Sequence, residues 1–250
     1  SPQHDNGYDI SDYTAVNPLF GSMDDFEEMI QVGKEYGIEF MLDMVLNHCS
    51  TEHEWFQKAL AGDNYYQDFF FLRDEPTDWL SKFGGSAWAP FGDTGKYYLH
   101  LYDVTQADLN WHNPHVREEL FKVVHFWLDK GLKGFRFDVI NVIGKDEILE
   151  NCPENDGKPA YTDRPIVHEY LHMLNEETFG TDEAIMTVGE MSATNIENCI
   201  LYTAPERHEL SMAFNFHHLK VDYENGQKWT LKNFDFEELK RLFHTWGKEM

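Results

Sequence analysis

Basic residues are scarce in this chain. Against 45 Asp and Glu its 250 residues include only 20 Lys and Arg, a formal charge of −25. A polyanion needs a cationic footprint, so nucleic acid and an anionic membrane surface are excluded as main partners. Cysteine is scarcer still. Cys49, Cys152 and Cys199 are odd in number, widely spaced and without a C-x-x-C pair. That excludes a disulfide framework and a zinc-finger site, and it fits a reducing compartment, so the cytoplasm is the expected location. No run of about 18 apolar residues is present, so no membrane span is expected, and no signal peptide opens the chain. G-x-S-x-G and glycine-rich phosphate loops are missing, and the histidines are taken as lacking metal-ligand spacing. Neither a metal nor a cofactor is expected. What remains is ample for a sizeable core: 42% hydrophobic and 15% aromatic residues fit one large α/β domain or a domain with an insertion.

Strand and helix patterns alternate. Residues 22–36 begin with Ser22 as N-cap and Asp25 three residues on, and Phe26, Met29 and Ile30 follow at helical spacing before Gly37. The apolar IEFMLDMV (38–45) reads as a strand. Asn113-Pro114 reads as an N-cap and first helical residue, with Val116, Leu120, Val123, Val124, Trp127 and Leu128 as the apolar stripe and Gly131 as the stop. The strand GFRFDV comes next. Further helices are expected near 164–179, at 194–202 and from about Asp235 to Lys248, with strands at 184–190 and 210–216 between them. Alternation of this kind implies a parallel sheet. Residues 49–112 are too long for a βα loop. They are rich in aromatics, and YYQDFFFLR and KYYLHLY read as short strands, so an inserted subdomain is expected there. Residues 145–163 form a shorter excursion.

Polar residues collect at the C-terminal ends of the strands. Asp5 and Tyr8 lie in DNGYD, Asp43, Asn47 and His48 in LDMVLNH, Arg136 and Asp138 in GFRFD, and Glu190 in VGEM. Along GFRFDVI, alternation sends Phe135, Phe137 and Val139 one way and Gly134, Arg136 and Asp138 the other. Singly, each polar residue has a structural reading: Asp5 as a turn cap, His48 as a helix-entry histidine, Arg136–Asp138 as an ion pair, Glu190 as an N-cap. Four successive strand ends carrying carboxylates, a histidine and an arginine point instead to a site on the carboxyl side of the sheet.

Two carboxylates from different strands suit glycoside hydrolysis, which needs a nucleophile or base and a general acid. Arg136 is expected to hold Asp138 ionised. The apolar MTVG run is expected to raise Glu190 and keep it protonated as the acid. His48, Asp5 and Tyr8 are placed to hydrogen-bond sugar hydroxyls.

LDMVLNH, QADLN, GFRFDVI and VGEM, in this order, resemble the signature regions of the α-amylase superfamily of glycoside hydrolases. DNGYDISDY and QADLN resemble its α-glucosidase branch. TDRPIVHEYLHMLNEETFG, MTVGEMSAT and ERHELSMAFNFHHLKVDY are similar to trehalose-6-phosphate hydrolases. The resemblance covers nearly all 250 residues. It implies a (β/α)8 TIM barrel, incomplete here from the end of strand two to helix six. Residues 1–48 and 113–250 would belong to the barrel and 49–112 to an inserted domain B after strand three. It implies retention at the sugar, with Asp138 as nucleophile, Glu190 as general acid/base, and Asp5, Tyr8, His48 and Arg136 lining the glucosyl subsite. The family's third catalytic aspartate and its calcium loop have no counterpart in this sequence, so an internal segment of a catalytic domain is expected. The implied substrate is trehalose 6-phosphate. Isomaltose-type oligosaccharides are the alternative, and a non-catalytic barrel-like binding subunit is the alternative of another class. A phosphorylated sugar approaching so acidic a protein needs local cations. Lys220, Lys228 and Lys232 in HHLKVDYENGQKWTLKNF are the candidates, against the reading of an ordinary solvated loop.

Overall fold

A computed structural model describes residues 1–225, 230 and 232–250. Lys228 and Trp229 lie outside the described residues. Nine strands and seven α-helices occur among the described residues, in the order α1 (Met23–Glu35), β1 (Met41–Val45), β2 (His48–Ser50), α2 (Glu54–Leu60), α3 (Asn64–Gln67), β3 (Leu72–Arg73), β4 (Trp88–Pro90), β5 (Tyr97–Leu99), β6 (Gln106–Asp108), α4 (Pro114–Asp129), β7 (Gly134–Asp138), α5 (Pro165–Glu177), β8 (Met186–Glu190), α6 (Ile196–Thr203), β9 (Met212–Phe214) and α7 (Phe236–Glu249).

The helix starts follow the local chemistry of the sequence. Ser22 and Asp25 close a reciprocal capping box at α1, and Asn113 caps α4 with Pro114 in its first turn. Gly37 and Gly131 follow α1 and α4 at φ 68° and 95°, where a Cβ would be strained.

β1, β7, β8 and β9 form one parallel sheet in that spatial order, as an incomplete (β/α) barrel requires. Phe135 and Phe137 are fully buried, stacked on each other at 5.8 Å, with Phe179 5.8 Å from Phe137. Val116, Leu120 and Val124 of α4 and Leu171 and Leu174 of α5 belong to the same core. Each such buried side chain is worth about 1.5–3 kcal/mol, so this face fixes which side of β7 the charges take. Val139 departs from the expected alternation. β7 ends at Asp138, and Val139 takes a left-handed backbone (φ 40°), joining a second core with Phe71, Trp79 and Tyr161.

Between β2 and α4 the chain makes two small antiparallel pairings, β2 with β6 and β3–β5–β4. The strand expected over YYQDFFFLR is mostly absent. The Asp63 side chain accepts from Tyr65 N at 3.0 Å and starts α3 instead, leaving only Leu72–Arg73 extended. Trp55, Phe56, Phe69 and Trp111 of this segment share the main core with the barrel strands.

Candidate active site

β7 and β8 run side by side, with Phe137 opposite Gly189, so Asp138 and Glu190 end adjacent strands on the same edge of the sheet. Arg136 faces Asp43 across the β1–β7 register. Arg136 ties all three carboxylates together. Its Nη1 donates to Asp138 Oδ1 and to Asp43 Oδ1, both at 2.7 Å, and its Nη2 donates to Glu190 Oε2. Its guanidinium lies 5.8 Å from the Tyr8 ring centroid and 5.6 Å from that of Phe214. Burial opposes the guanidinium charge, but Asp43, Glu190 and Asp138 together hold it firmly protonated.

This sharing changes the expected proton placement. Burial, then the hydrogen bond with Glu190 and its negative charge, push the Asp138 carboxyl up to about 8, against the lowering influence of Arg136. Arg136 acts in the anticipated direction but is divided among three carboxylates. It does not by itself hold Asp138 ionised.

His48 is aligned by a buried chain of polar side chains. Lys145 Nζ and Asp108 Oδ2 form an ion pair of 2.8 Å with both side chains fully buried. Lys145 Nζ also donates to Asn47 Oδ1 at 2.9 Å, which fixes the amide so that its NH2 points the other way. That NH2 donates to Asp108 Oδ2 and meets His48 Nδ1, each at 3.1 Å. Nδ1 is therefore the acceptor, and the ring proton sits on the buried Nε2. Burial, against the attraction of Asp108, pushes His48 down to about 4, so the ring is a neutral donor at ordinary pH. His48 stands in β2, opposite Asp108, not at a helix entry.

The N-terminal loop reaches the same place. Tyr8 Oη donates to Asp43 Oδ2 at 2.9 Å, and burial followed by this contact pushes its hydroxyl up to about 12. Asp5 Oδ2 accepts from Gln106 Nε2 at 2.9 Å, so its side chain serves β6 and does not cap the turn. The fully buried Asp9 accepts the backbone N–H groups of His4 and Asp5 and holds the loop. Glu190 is not an N-cap either, since Asn195 caps α6.

Lys220 and Lys232 share a separate cleft of about 370 Å³ with His217, Asp235 and Glu238, and neither Asp138, Glu190 nor Arg136 lines it. The expectation about histidine spacing needs correction. His168 and His172 of HEYLH stand four apart on α5, but His168 Nδ1 meets Glu209 Oε2 at 2.7 Å and His172 Nδ1 meets the Arg207 carbonyl at 3.0 Å. No group of three ligand side chains converges among the described residues. Asp43 and Asn47 stood among the strand-end polar residues without an assigned role, and Lys145 was not expected at the site at all. Alternation within LDMVLNH hinted at Asp43, whereas nothing in GKDE singles out Lys145 as a buried cation.

Residues 1–250 match the alpha-amylase family model, described as the alpha amylase catalytic domain. The chain is 51% identical over 257 residues to trehalose-6-phosphate hydrolase of Bacillus subtilis (strain 168), covering 100% of this chain and 46% of that protein. It is 43% identical over 262 residues to oligo-1,6-glucosidase of Parageobacillus thermoglucosidasius, with 100% and 46% covered. The crystal structure of Bacillus licheniformis trehalose-6-phosphate hydrolase matches with a TM-score of 0.96 at 53% identity, covering 100% of this chain and 46% of that one. Isomaltulose synthase from Klebsiella sp. LX3 matches at 0.94 and 34%, with the same coverage. The chain thus spans about 46% of the length of these relatives. With its parallel sheet, its Arg136-linked carboxylates and a family match over every residue, this chain belongs to the alpha-amylase family of catalytic domains.

Proposed function

We propose that the chain supplies the nucleophile and the acid/base of a retaining α-glycoside hydrolase that cleaves trehalose 6-phosphate to glucose and glucose 6-phosphate. The observation that carries this reading is Arg136 gripping Asp138 and Glu190 at the ends of adjacent parallel strands. Asp138 attacks the anomeric carbon, and Glu190 protonates the leaving oxygen and then activates water. Asp138 acts in its ionised form and Glu190 in its protonated form at the first step. Asp5, Tyr8, His48 and Arg136 line the glucosyl subsite, with His48 Nε2–H as a hydroxyl donor. Residues 49–112 act as the inserted unit over the strand ends. Lys220, Lys228 and Lys232 are read as contacts for the substrate phosphate. Lys220 and Lys232 share one cleft, which supports this, although Asp235 and Glu238 offset their charge.

The identity is higher to the trehalose-6-phosphate hydrolase of B. subtilis (51%) than to the oligo-1,6-glucosidase (43%), which favours the phosphorylated disaccharide over isomaltose-type substrates. Retention of both carboxylates opposes a non-catalytic role. No helix among the described residues is long and apolar enough to cross a membrane. With Cys49, Cys152 and Cys199 all unpaired, a cytoplasmic setting suits the chain. Glucose release from trehalose 6-phosphate, isomaltose and an aryl α-glucoside by the purified full-length enzyme tests the reading. Preference for isomaltose would move the assignment to the oligosaccharide class, and turnover of none of the three would end it.

A further inference from the structure

Asn141 is fully buried in the short 3-10 turn after β7, three residues beyond Asp138. Its side-chain amide is fully engaged. Oδ1 accepts from Ser192 N at 2.8 Å, while Nδ2 donates to the Ser192 carbonyl at 2.9 Å and to Asp163 Oδ1 at 2.8 Å. Only one orientation of the amide meets all three partners, and an aspartate in its place would have no proton for the carbonyl or for Asp163.

Ser192 lies two residues beyond Glu190. Asn141 grips both backbone polar groups of Ser192, as a neighbouring strand would. On the other flank Met191 N donates to the Phe214 carbonyl of β9 at 2.9 Å, so the chain carrying Glu190 is held from both sides. Behind Asn141 stands Asp163. Its N–H donates to the Asn141 carbonyl at 3.0 Å, its Oδ1 also accepts from Tyr202 Oη at 2.9 Å, and its Oδ2 accepts from Asn198 Nδ2 at 2.8 Å. Tyr202 and Asn198 belong to α6, so one cluster ties together the turn after β7, the excursion at 145–163 and the chain beyond β8. Burial, then the charge of Asp163, keeps the Tyr202 hydroxyl protonated as a donor. The backbone bends sharply around this cluster. Val139, Asp163 and Ala193 take left-handed conformations, with φ of 40°, 51° and 56°. Non-glycine residues hold such conformations where surrounding contacts over-determine them, and they gather at functional sites.

We infer that Asn141, backed by Asp163, is a positioning residue for the glycosidic reaction: its clamp on Ser192 sets the approach of the Glu190 carboxyl to the leaving oxygen. This rests on the reading of Glu190 as the acid/base. Asn141 acts through Ser192 and not on the sugar itself. Asp138 does not depend on the clamp in the same way, because it ends a strand paired with β1 and is gripped by Arg136. Loss of the clamp therefore falls on proton delivery more than on nucleophilic attack.

The test compares the full-length parent with Asn141→Ala and Glu190→Gln on α-glucosides whose leaving groups run from dinitrophenol to an alkyl alcohol. The quantity read is kcat/KM, which covers the step that protonates the leaving oxygen. A misplacement of about 1 Å costs about 100-fold, and Asn141→Ala is expected to lose up to that factor on the alkyl glucoside. On the dinitrophenyl glucoside, whose leaving group needs little protonation, the loss should stay below about fivefold. Inhibition by glucose should be unchanged. An equal loss at every leaving group, or no loss, overturns the inference and leaves Asn141 a structural tie between loops. Tyr202→Phe, which removes one hydroxyl from Asp163, decides the matter if Asn141→Ala does not fold. Its loss should be about threefold, the scale of one hydrogen bond, and again confined to poor leaving groups; a flat profile there overturns the inference too. If Glu190→Gln shows no leaving-group dependence, the acid/base assignment falls and the positioning role with it. A steep profile in Glu190→Gln beside a flat one in Asn141→Ala sinks the positioning role alone.

Discussion

Replacing Lys145 with methionine keeps most of the side-chain volume and removes one charge from a fully buried pair. Asp108 would lose its 2.8 Å partner and Asn47 Oδ1 its 2.9 Å donor, while Asp108 Oδ1 would still accept from Leu101 N at 2.8 Å. Breaking a buried ion pair from one side typically costs about 3–5 kcal/mol, because the remaining charge has no water to return to. For a chain of this length that is a fall in Tm of roughly 6–20 °C. The penalty should also acquire a pH dependence. In the variant, Asp108 escapes its buried charge by taking up a proton, so the loss is small in acid and grows as pH rises past the ordinary carboxylate range. Urea denaturation of parent and Lys145→Met from pH 4 to 8 measures both effects. Removing the second charge as well, in Asp108→Asn with Lys145→Met, keeps an acceptor for Leu101 and should recover roughly half the loss or more. A cost below about 1 kcal/mol, the scale of an exposed pair, would show that the pair is solvated and that the polar chain behind His48 is not rigid.

Asp138→Asn should abolish formation of a glucosyl-enzyme, whereas Glu190→Gln should retain partial turnover of substrates with good leaving groups, which need little protonation. Trapping with an activated glucoside and mass spectrometry checks the first, and rates across a leaving-group series check the second. Because folding raises Asp138 to about 8, the native state binds that proton more tightly than the unfolded chain, and stability falls as pH rises from about 4 to 8. Asp138→Asn should therefore be more stable than the parent above pH 8, with the difference vanishing near pH 4; equal stabilities throughout would refute the raised Asp138 carboxyl. His48 has the opposite sign. Lowered to about 4, it contributes stability that is complete above pH 6.5 and lost as pH falls toward 4, about 3 kcal/mol in all, and His48→Gln should flatten that limb in acid denaturation. Changing both Lys220 and Lys232 to alanine should raise KM for trehalose 6-phosphate relative to that for an aryl glucoside, in steady-state assays, by up to about tenfold if the phosphate touches them.

Much of this protein was set by short-range chemistry that a sequence displays. The Ser22–Asp25 box, the Asn113-Pro114 start and the glycines at 37 and 131 specify where helices begin and end, because capping satisfies backbone groups within a few residues. The alternation in GFRFD determined that Arg136 and Asp138 share a face, because a strand's period is two whatever surrounds it. The order of the strand-end residues pointed to the chemistry. Tertiary structure decided the rest. Whether Arg136 serves one carboxylate or three depends on the register of β1 and β8 against β7, a long-range property. The rise of the Asp138 carboxyl followed from burial and from the approach of two strand ends that lie 52 residues apart. Val139 left the strand because a second core was available to it. Lys145 is an ordinary lysine in the sequence. It became a buried counter-ion only because the fold brought Asp108 to it, and charge partners far apart in a chain are chosen by packing.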